Sequence, residues 1–191
     1  IPLIFFKSKK GVPGAVDNLS SVGVLISVAK SISQMKDKIP EGTEVLFISF
    51  GAEEAGLRGS RRFVQKHLNE LKSVRTYAIN MEMIADPSKF AIAIKEKTTR
   101  TKHSIELASR LKEIGEKIGI VLPFVEIPFI GGGTDAVSFS RNGVPAVTLF
   151  GTSFSIDVMR YYHTMRDTID KINPKALKIA HDLIINTILK L

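Results

Sequence analysis

The stretch TEVLFISFGAEEAGLRGS, residues 43–60, decides how the rest of the chain is read. Its first eight residues form a β-branched and aromatic apolar run of the kind that is buried as a strand. Two carboxylates, Glu53 and Glu54, follow side by side where that strand ends, and an amphipathic segment over about residues 57–72 comes next. Adjacent glutamates repel each other, so the pair calls for water or for a cation.

Similar apolar runs recur at PLIFF (2–6), TYAINMEMI (76–84), FAIAI (90–94), LPFVEI (122–127) and PAVTLF (145–150), each bounded by Gly, Pro or charged residues. These read as strands. Between them lie helical patterns at about residues 18–36, 57–72, 101–118, 134–142 and 174–190, the last with Leu177, Ile179, Ala180, Leu183 and Ile184 on one face. Strand and helix alternate almost throughout. The pattern predicts a three-layer α/β/α fold with a central mixed, largely parallel sheet, and a binding crevice at the carboxyl ends of its strands.

The 191 residues, 44% of them hydrophobic, suffice for a full core, and no linker or repeat divides them. A single domain over residues 1–191 is expected. The net charge of +8 raises the question of an acidic partner. The basic residues, however, are interleaved with Glu and Asp in segments such as SRLKEIGEKIG, which reads as a solvated surface and argues against a nucleic-acid partner. No uninterrupted apolar run reaches the roughly 18 residues of a membrane span, so a soluble chain with no membrane partner is expected. With no basic and apolar leader at its start, a cytoplasmic location is expected. The chain begins at Ile1 rather than Met, as a processed or trimmed form lacking upstream elements would. There is no cysteine, so a transition metal has to be held by His and carboxylate.

Three polar clusters follow strands or precede helices: GAVDNLSS, GAEEAGL and NMEM. In an open α/β sheet such loops converge on one crevice, which brings Asp17, Glu53, Glu54 and Glu82 together. That many anions are costly unless a cation neutralises them. Of the four histidines, His163 in RYYHTMRDTID is the best nitrogen ligand, because His67, His103 and His181 lie in amphipathic helical patterns that suit surface or satisfied core positions. One carboxylate of the Glu53–Glu54 pair can then bind the metal while its neighbour takes a proton from water. Taken singly, each carboxylate has an ordinary reading: Asp17 could cap the following helix, and Glu53 or Glu54 could sit at a helix start.

GVPGAVDNLSSVG, FISFGAEEAGLRGSRRFV, INMEMI, GGGTDAVSFSRNGVPAVTLF and YYHTMRDTIDKI occur in one order, and with them the chain resembles the zinc aminopeptidase family. That family includes bacterial leucyl aminopeptidases, carboxypeptidase Q, glutamate carboxypeptidase II, glutaminyl cyclase and the non-catalytic transferrin receptor. The resemblance spans nearly the whole chain. It implies Asp17 as a bridging ligand, Glu53 as general base, Glu54 and His163 as ligands of the first metal, and Glu82 where the family has an aspartate ligand of the second. Gly132, Thr134, Asp135 and Tyr162 are implied to border the substrate. Thr134 also suits a helix cap after the glycine run, whose backbone could receive a substrate carbonyl or amine.

Two departures bear on the metal count. Glu82 in place of aspartate adds a methylene. The family's His-x-Asp, which supplies the second metal's histidine, aligns with Phe5, Phe6 and Lys7. Phenylalanine cannot ligate, so one zinc per chain is expected, or two if Phe5 is misaligned. The Lys7 ammonium is a candidate surrogate for the second metal's charge, or simply a solvent-exposed lysine in the run KSKK.

The expected function is a metal-dependent exopeptidase of aminopeptidase type acting on a peptide or amino-acyl amide. Two alternatives remain: a non-catalytic relative that keeps the fold, which Phe5 and Lys7 would permit, and a single-zinc amide chemistry such as glutaminyl cyclisation.

Overall fold

The computed structural model of the chain describes residues 10–129 and 132–191. The expected strand PLIFF, and with it Phe5, Phe6 and Lys7, lies outside the described residues.

Among the described residues, one mixed sheet carries strands β1 (Ala78–Glu82), β2 (Phe90–Glu96), β3 (Thr101–Lys102), β4 (Phe124–Ile127) and β5 (Ala146–Gly151). Its path runs β1-β5-β2-β3, with β4 also paired to β2. β1 runs parallel to β5, with Glu82 opposite Phe150, and β2 runs parallel to β4. The β2–β5 and β2–β3 pairings are antiparallel. Every residue of β5 is buried, as a strand covered on both faces requires.

The two faces are covered by different helices. Helices α1 (Ser20–Ser33), α3 (Ile105–Lys117) and α6 (Pro174–Ile188) share one core with Met81, Ile92, Val147 and Leu149. Helices α2 (Arg58–Ser73) and α4 (Ala136–Ser140) pack with Ala146 on the other side. Val147 and Leu149 face one layer and Ala146 the other, the period-2 alternation of a strand. A short helix α5 (Ile156–Met159), not foreseen from the sequence, precedes the turn that carries His163. α6 starts sharply because the Asn173 side chain accepts the Lys175 N–H and Pro174 occupies the first turn.

Three expectations need correction. The run TEVLFISF is not a strand: residues 43–50 join no ladder among the described residues, and Leu46, Ile48 and Phe50 line a cavity of about 410 Å³ together with Tyr77, Ile79 and Met81. Composition favours a strand there, but a strand also needs a ladder partner, and among the described residues β1 pairs with β5 and not with this run. Phe50 instead packs on Phe63 and Phe139, with ring centroids 5.5 and 6.1 Å apart.

The helix expected from residue 18 begins at Ser20, because Asp17 and Asn18 hold non-helical backbone angles inside a π-turn over Ala15–Leu19. Asp17 is therefore no helix cap. Together Ala15–Ser33 form a helical stretch long and apolar enough by length and composition to cross a membrane. The stretch is kinked at Asp17 and Asn18, and its Val24, Val28 and Ile32 lie in the core shared with α6. The helix expected over 134–142 shrinks to Ala136–Ser140, and Thr134 is not its cap. Asp135 holds that position, and the Thr134 hydroxyl goes elsewhere.

Candidate metal centre

The carboxyl ends of β1 and β5 open onto a crevice where the loops around Asp17, Glu53–Glu54 and His163 meet. Each loop is built to aim one side chain.

Gly14 turns the chain at φ +63, and a Cβ there would stand 2.8 Å from the Asp17 carbonyl oxygen, so only glycine fits. The carboxylate of Asp167, 1% exposed, accepts the backbone N–H of Val16 at 2.7 Å and of Asp17 at 3.0 Å. Asn18 clips the end of β1. Its amide donates to the Met81 carbonyl at 3.1 Å and its oxygen accepts the Met83 N–H at 3.0 Å, so it straddles Glu82.

The Glu53–Glu54 loop folds back on itself. The Glu53 carbonyl accepts Gly56 and Leu57 N–H at 2.9 and 2.7 Å, and the Ala52 carbonyl accepts Arg58 N–H at 3.1 Å. Gly59 in α2 lies against Gly51, where any Cβ would meet the Gly51 carbonyl oxygen at 2.2 Å.

Three non-glycine residues at the crevice adopt the left-handed region: Ala52 before Glu53, Met83 after Glu82, and His163 itself, at φ 57, 50 and 57. Each such residue costs about 1–3 kcal/mol, and strain of this kind collects where side-chain aim matters more than local stability.

His163 Nε2 lies 3.0 Å from Asp17 Oδ2 and 2.6 Å from Glu54 Oε1, and one donor atom from each of the three residues lies within 4.8 Å of the others. The Asp17 and His163 side chains are about one-eighth exposed, while Glu54 reaches in from the surface at 61%. The Tyr162 ring stacks on the imidazole, with centroids 3.8 Å apart. Glu53 and Glu82 line the crevice beside this trio. Among the described residues, Glu82 stands outside the group of converging donors; the Asn80 amide donates to its Oε2 at 3.4 Å.

The electrostatics follow from burial and crowding. Burial, then the Glu54 charge, pushes the Glu53 carboxyl up to about 8. Burial, then Asp17 and Glu53, holds Glu82 well above the usual carboxylate range. Burial likewise raises Asp17, against the hydrogen bond to His163. For His163 burial works downward, but the bonds to Asp17 and Glu54 outweigh it and lift the imidazole to about 9. Burial and the surrounding carboxylates keep the Tyr162 phenol protonated, so it can donate a hydrogen bond.

This donor set fits zinc: one imidazole nitrogen and two carboxylate oxygens, with a fourth position open, is the makeup of a catalytic site. Ligands about 2.0–2.2 Å from one tetrahedral ion lie about 3.3–3.6 Å apart, a separation within the 4.8 Å that contains all three donor atoms. A cation would also relieve the mutual repulsion that raises the neighbouring carboxyls.

The sequence-derived candidates mostly meet here. Thr134 and Tyr162 line a small cavity of about 50 Å³ with Asp17, Glu53 and Glu82, and Asp135 lines the larger one. Gly133, rather than Gly132, forms part of the small cavity's wall. Burial raises the Asp135 carboxyl, offset in part by a hydrogen bond from Ser60. His67 pairs with Glu70 at 2.8 Å, and His181 lies 3.0 Å from Ser31, in keeping with their ordinary readings. Sequence reasoning missed Asn18 and Asp167, which bind backbone groups far away in the chain. It also placed His103 in a helix, whereas His103 precedes α3 and joins a buried network with Glu96.

The model of peptidase family M28 matches residues 6–188. Aminopeptidase YwaD of Bacillus subtilis is 31% identical over 175 residues, covering 90% of this chain and 36% of its own length. Among solved structures, a zinc aminopeptidase from Bacillus subtilis superposes with a TM-score of 0.76 at 28% identity, covering 95% of this chain and 43% of its own. The aminopeptidase of Aneurinibacillus sp. strain AM-1 gives 0.74 at 25%, covering 95% and 40%. The chain thus spans about a third of the length of the curated relatives it matches.

Proposed function

The chain belongs to peptidase family M28, and from that premise we propose that it is a zinc-dependent aminopeptidase, with one zinc held by Asp17, Glu54 and His163. A zinc bound there supplies Lewis acidity, polarising the scissile carbonyl and lowering the pKa of water toward about 7.

The chain's own groups do the rest. Glu53 is placed to accept a proton from water on Oε and to return it to the leaving amine; in the metal-free chain burial, then the Glu54 charge, holds its carboxyl at about 8, and a cation among the neighbouring donors would bring it down toward the ionised form that a base requires. Tyr162 holds the imidazole ring of His163 by stacking and keeps its phenol proton available to a substrate oxygen. Gly133 and Thr134 close one wall of the small cavity. The carboxyl oxygens of Glu53, Glu82 and Asp135, which line the two cavities, offer hydrogen-bond acceptors that suit the ammonium of a peptide N-terminus.

The observation that carries this reading is the convergence of Asp17, Glu54 and His163 donors beside a carboxyl whose pKa is shifted upward. The test is hydrolysis of amino-acyl p-nitroanilides by the zinc-loaded chain and by Glu53→Gln. The variant is expected to lose about 10²–10⁴-fold in kcat while binding zinc as before. Undiminished turnover in Glu53→Gln would remove Glu53 from the mechanism.

A further inference from the structure

Beyond the crevice, β2 ends in a carboxylate with no solvent access. The Glu96 side chain is 0% exposed, as is that of His103, whose Nε2 lies 2.9 Å from Glu96 Oε1. A buried carboxylate survives only when its lone pairs are met by donors, and Glu96 has several. Thr134 Oγ1 donates to Oε1 at 2.6 Å, Thr134 N–H donates to Oε2 at 3.1 Å, and Thr99 Oγ1 lies 3.4 Å from Oε2.

The remaining partners close the network. With its proton on Glu96, Thr134 Oγ1 accepts from Thr148 Oγ1, 2.7 Å away on β5. His103 Nδ1 lies 2.8 Å from Ser140 Oγ at the end of α4. One carboxylate thus joins β2, the segment before α3, β5 and the residues leading into α4.

Gly133 shows how closely this junction is fitted. A Cβ there would stand 2.6 Å from Thr99 Cγ2 and 3.3 Å from Glu96 Oε2. The glycine lets the backbone come near enough to give Thr134 N–H to Glu96. Gly133 and Thr134 are also wall residues of the small cavity that holds Asp17, Glu53 and Glu82.

We propose that Glu96 and His103 are positioning residues for this site: their buried pair fixes the Gly133–Thr134 wall against which a substrate is held. The inference rests on the peptidase reading for its kinetic consequence, but not for its structural one. Neither residue touches the ligand cluster, so metal content is unaffected when they change. A substitution that keeps size and removes the charge, Glu96→Gln, places an amide N–H₂ where at least one donor now points, and the wall loses its seat.

The experiment uses the zinc-loaded chain and two variants, Glu96→Gln and Gly133→Ala. Both are expected to lower kcat/KM on an amino-acyl p-nitroanilide by about 10-fold or more, chiefly through KM, with zinc per chain unchanged. Thr99→Ser, which deletes the methyl that a residue-133 Cβ meets and keeps the hydroxyl, is expected to restore most of the loss in the Gly133→Ala background. Should Glu96→Gln fail to fold, the Gly133→Ala and Thr99→Ser pair carries the test alone. Kinetics within twofold of wild type in either variant, when folded and zinc-loaded, overturn the proposal.

Amide exchange at Thr134 separates this proposal from the peptidase reading. Protection in the wild type that is lost in Glu96→Gln or Gly133→Ala supports the positioning role even if no peptidase activity is found. An unprotected Thr134 amide in the wild type refutes it whatever the activity.

Discussion

The carboxylate of Asp167 accepts the backbone N–H of Asp17 across 150 residues of chain, at 3.0 Å, while its other oxygen takes the Val16 N–H at 2.7 Å. Asp167 lies four residues after His163, so one buried side chain ties the loop that aims Asp17 to the turn that aims the imidazole. The relative placement of Asp17 and His163 is thereby tied through one buried side chain.

Asp167→Asn tests that tie. Asparagine keeps the volume but turns one acceptor into a donor facing a backbone N–H. Groups that hold metal ligands in place typically contribute 10–100-fold to metal affinity, and a loss of about that size is expected here. Competition with a chelator of known zinc affinity measures it. An unchanged zinc affinity would show that the Asp167 bonds do not set the site.

Gly59→Ala probes the Glu53–Glu54 loop. The new Cβ would fall 2.2 Å from the Gly51 carbonyl oxygen, so either α2 or the loop has to move. Overpacking of this sort costs about 1–3 kcal/mol, and the same movement carries Glu53 and Glu54 away from His163. Urea denaturation and zinc titration should therefore both report a loss. Stability and zinc binding equal to wild type would contradict the close approach of Gly51 and Gly59.

Stability of the chelated protein is expected to fall as pH rises from 5 to 9. Glu53 is raised to about 8 from an ordinary carboxyl value, so the folded chain keeps a proton that the unfolded chain releases at lower pH. His163 is raised to about 9, so its contribution is complete below the unfolded imidazole value and disappears as pH rises through about 9. Both groups act in the same direction. With zinc present the trend should flatten or reverse, because the ligands bind metal only when deprotonated. Thermal unfolding against pH, with and without chelator, decides it. A melting temperature of the chelated chain that rises over this range would be the contrary result.

The layered α/β plan was legible because strand composition is a local signal; Asp17, Glu53, Glu54 and Glu82 were legible because they stand in polar clusters beside apolar runs, and His163 because the other three histidines fall in amphipathic patterns. TEVLFISF misled for a physical reason: composition reports burial, while a strand also requires an edge to pair with, and the pairing is decided elsewhere in the chain. Asp167, Asn18, Glu96 and His103 were not legible as site-supporting groups. Asp167, Asn18 and Glu96 bind backbone N–H or carbonyl groups 150, 63 to 65 and 38 residues away, and His103 reaches the Ser140 hydroxyl 37 residues on; bonds at such separations leave no spacing in the sequence. The Thr134 cap was a reasonable local expectation, but the buried Glu96 carboxylate took its hydroxyl instead.

The central claim is that Asp17, Glu54 and His163 hold a zinc. Elemental mass spectrometry of protein loaded with zinc and dialysed free of excess, done in parallel on wild type and His163→Ala, tests it most directly. The account predicts about one zinc per wild-type chain, the count for a single three-ligand site, and almost none in the variant. Zinc retained by His163→Ala, or a wild type that holds none, would contradict it.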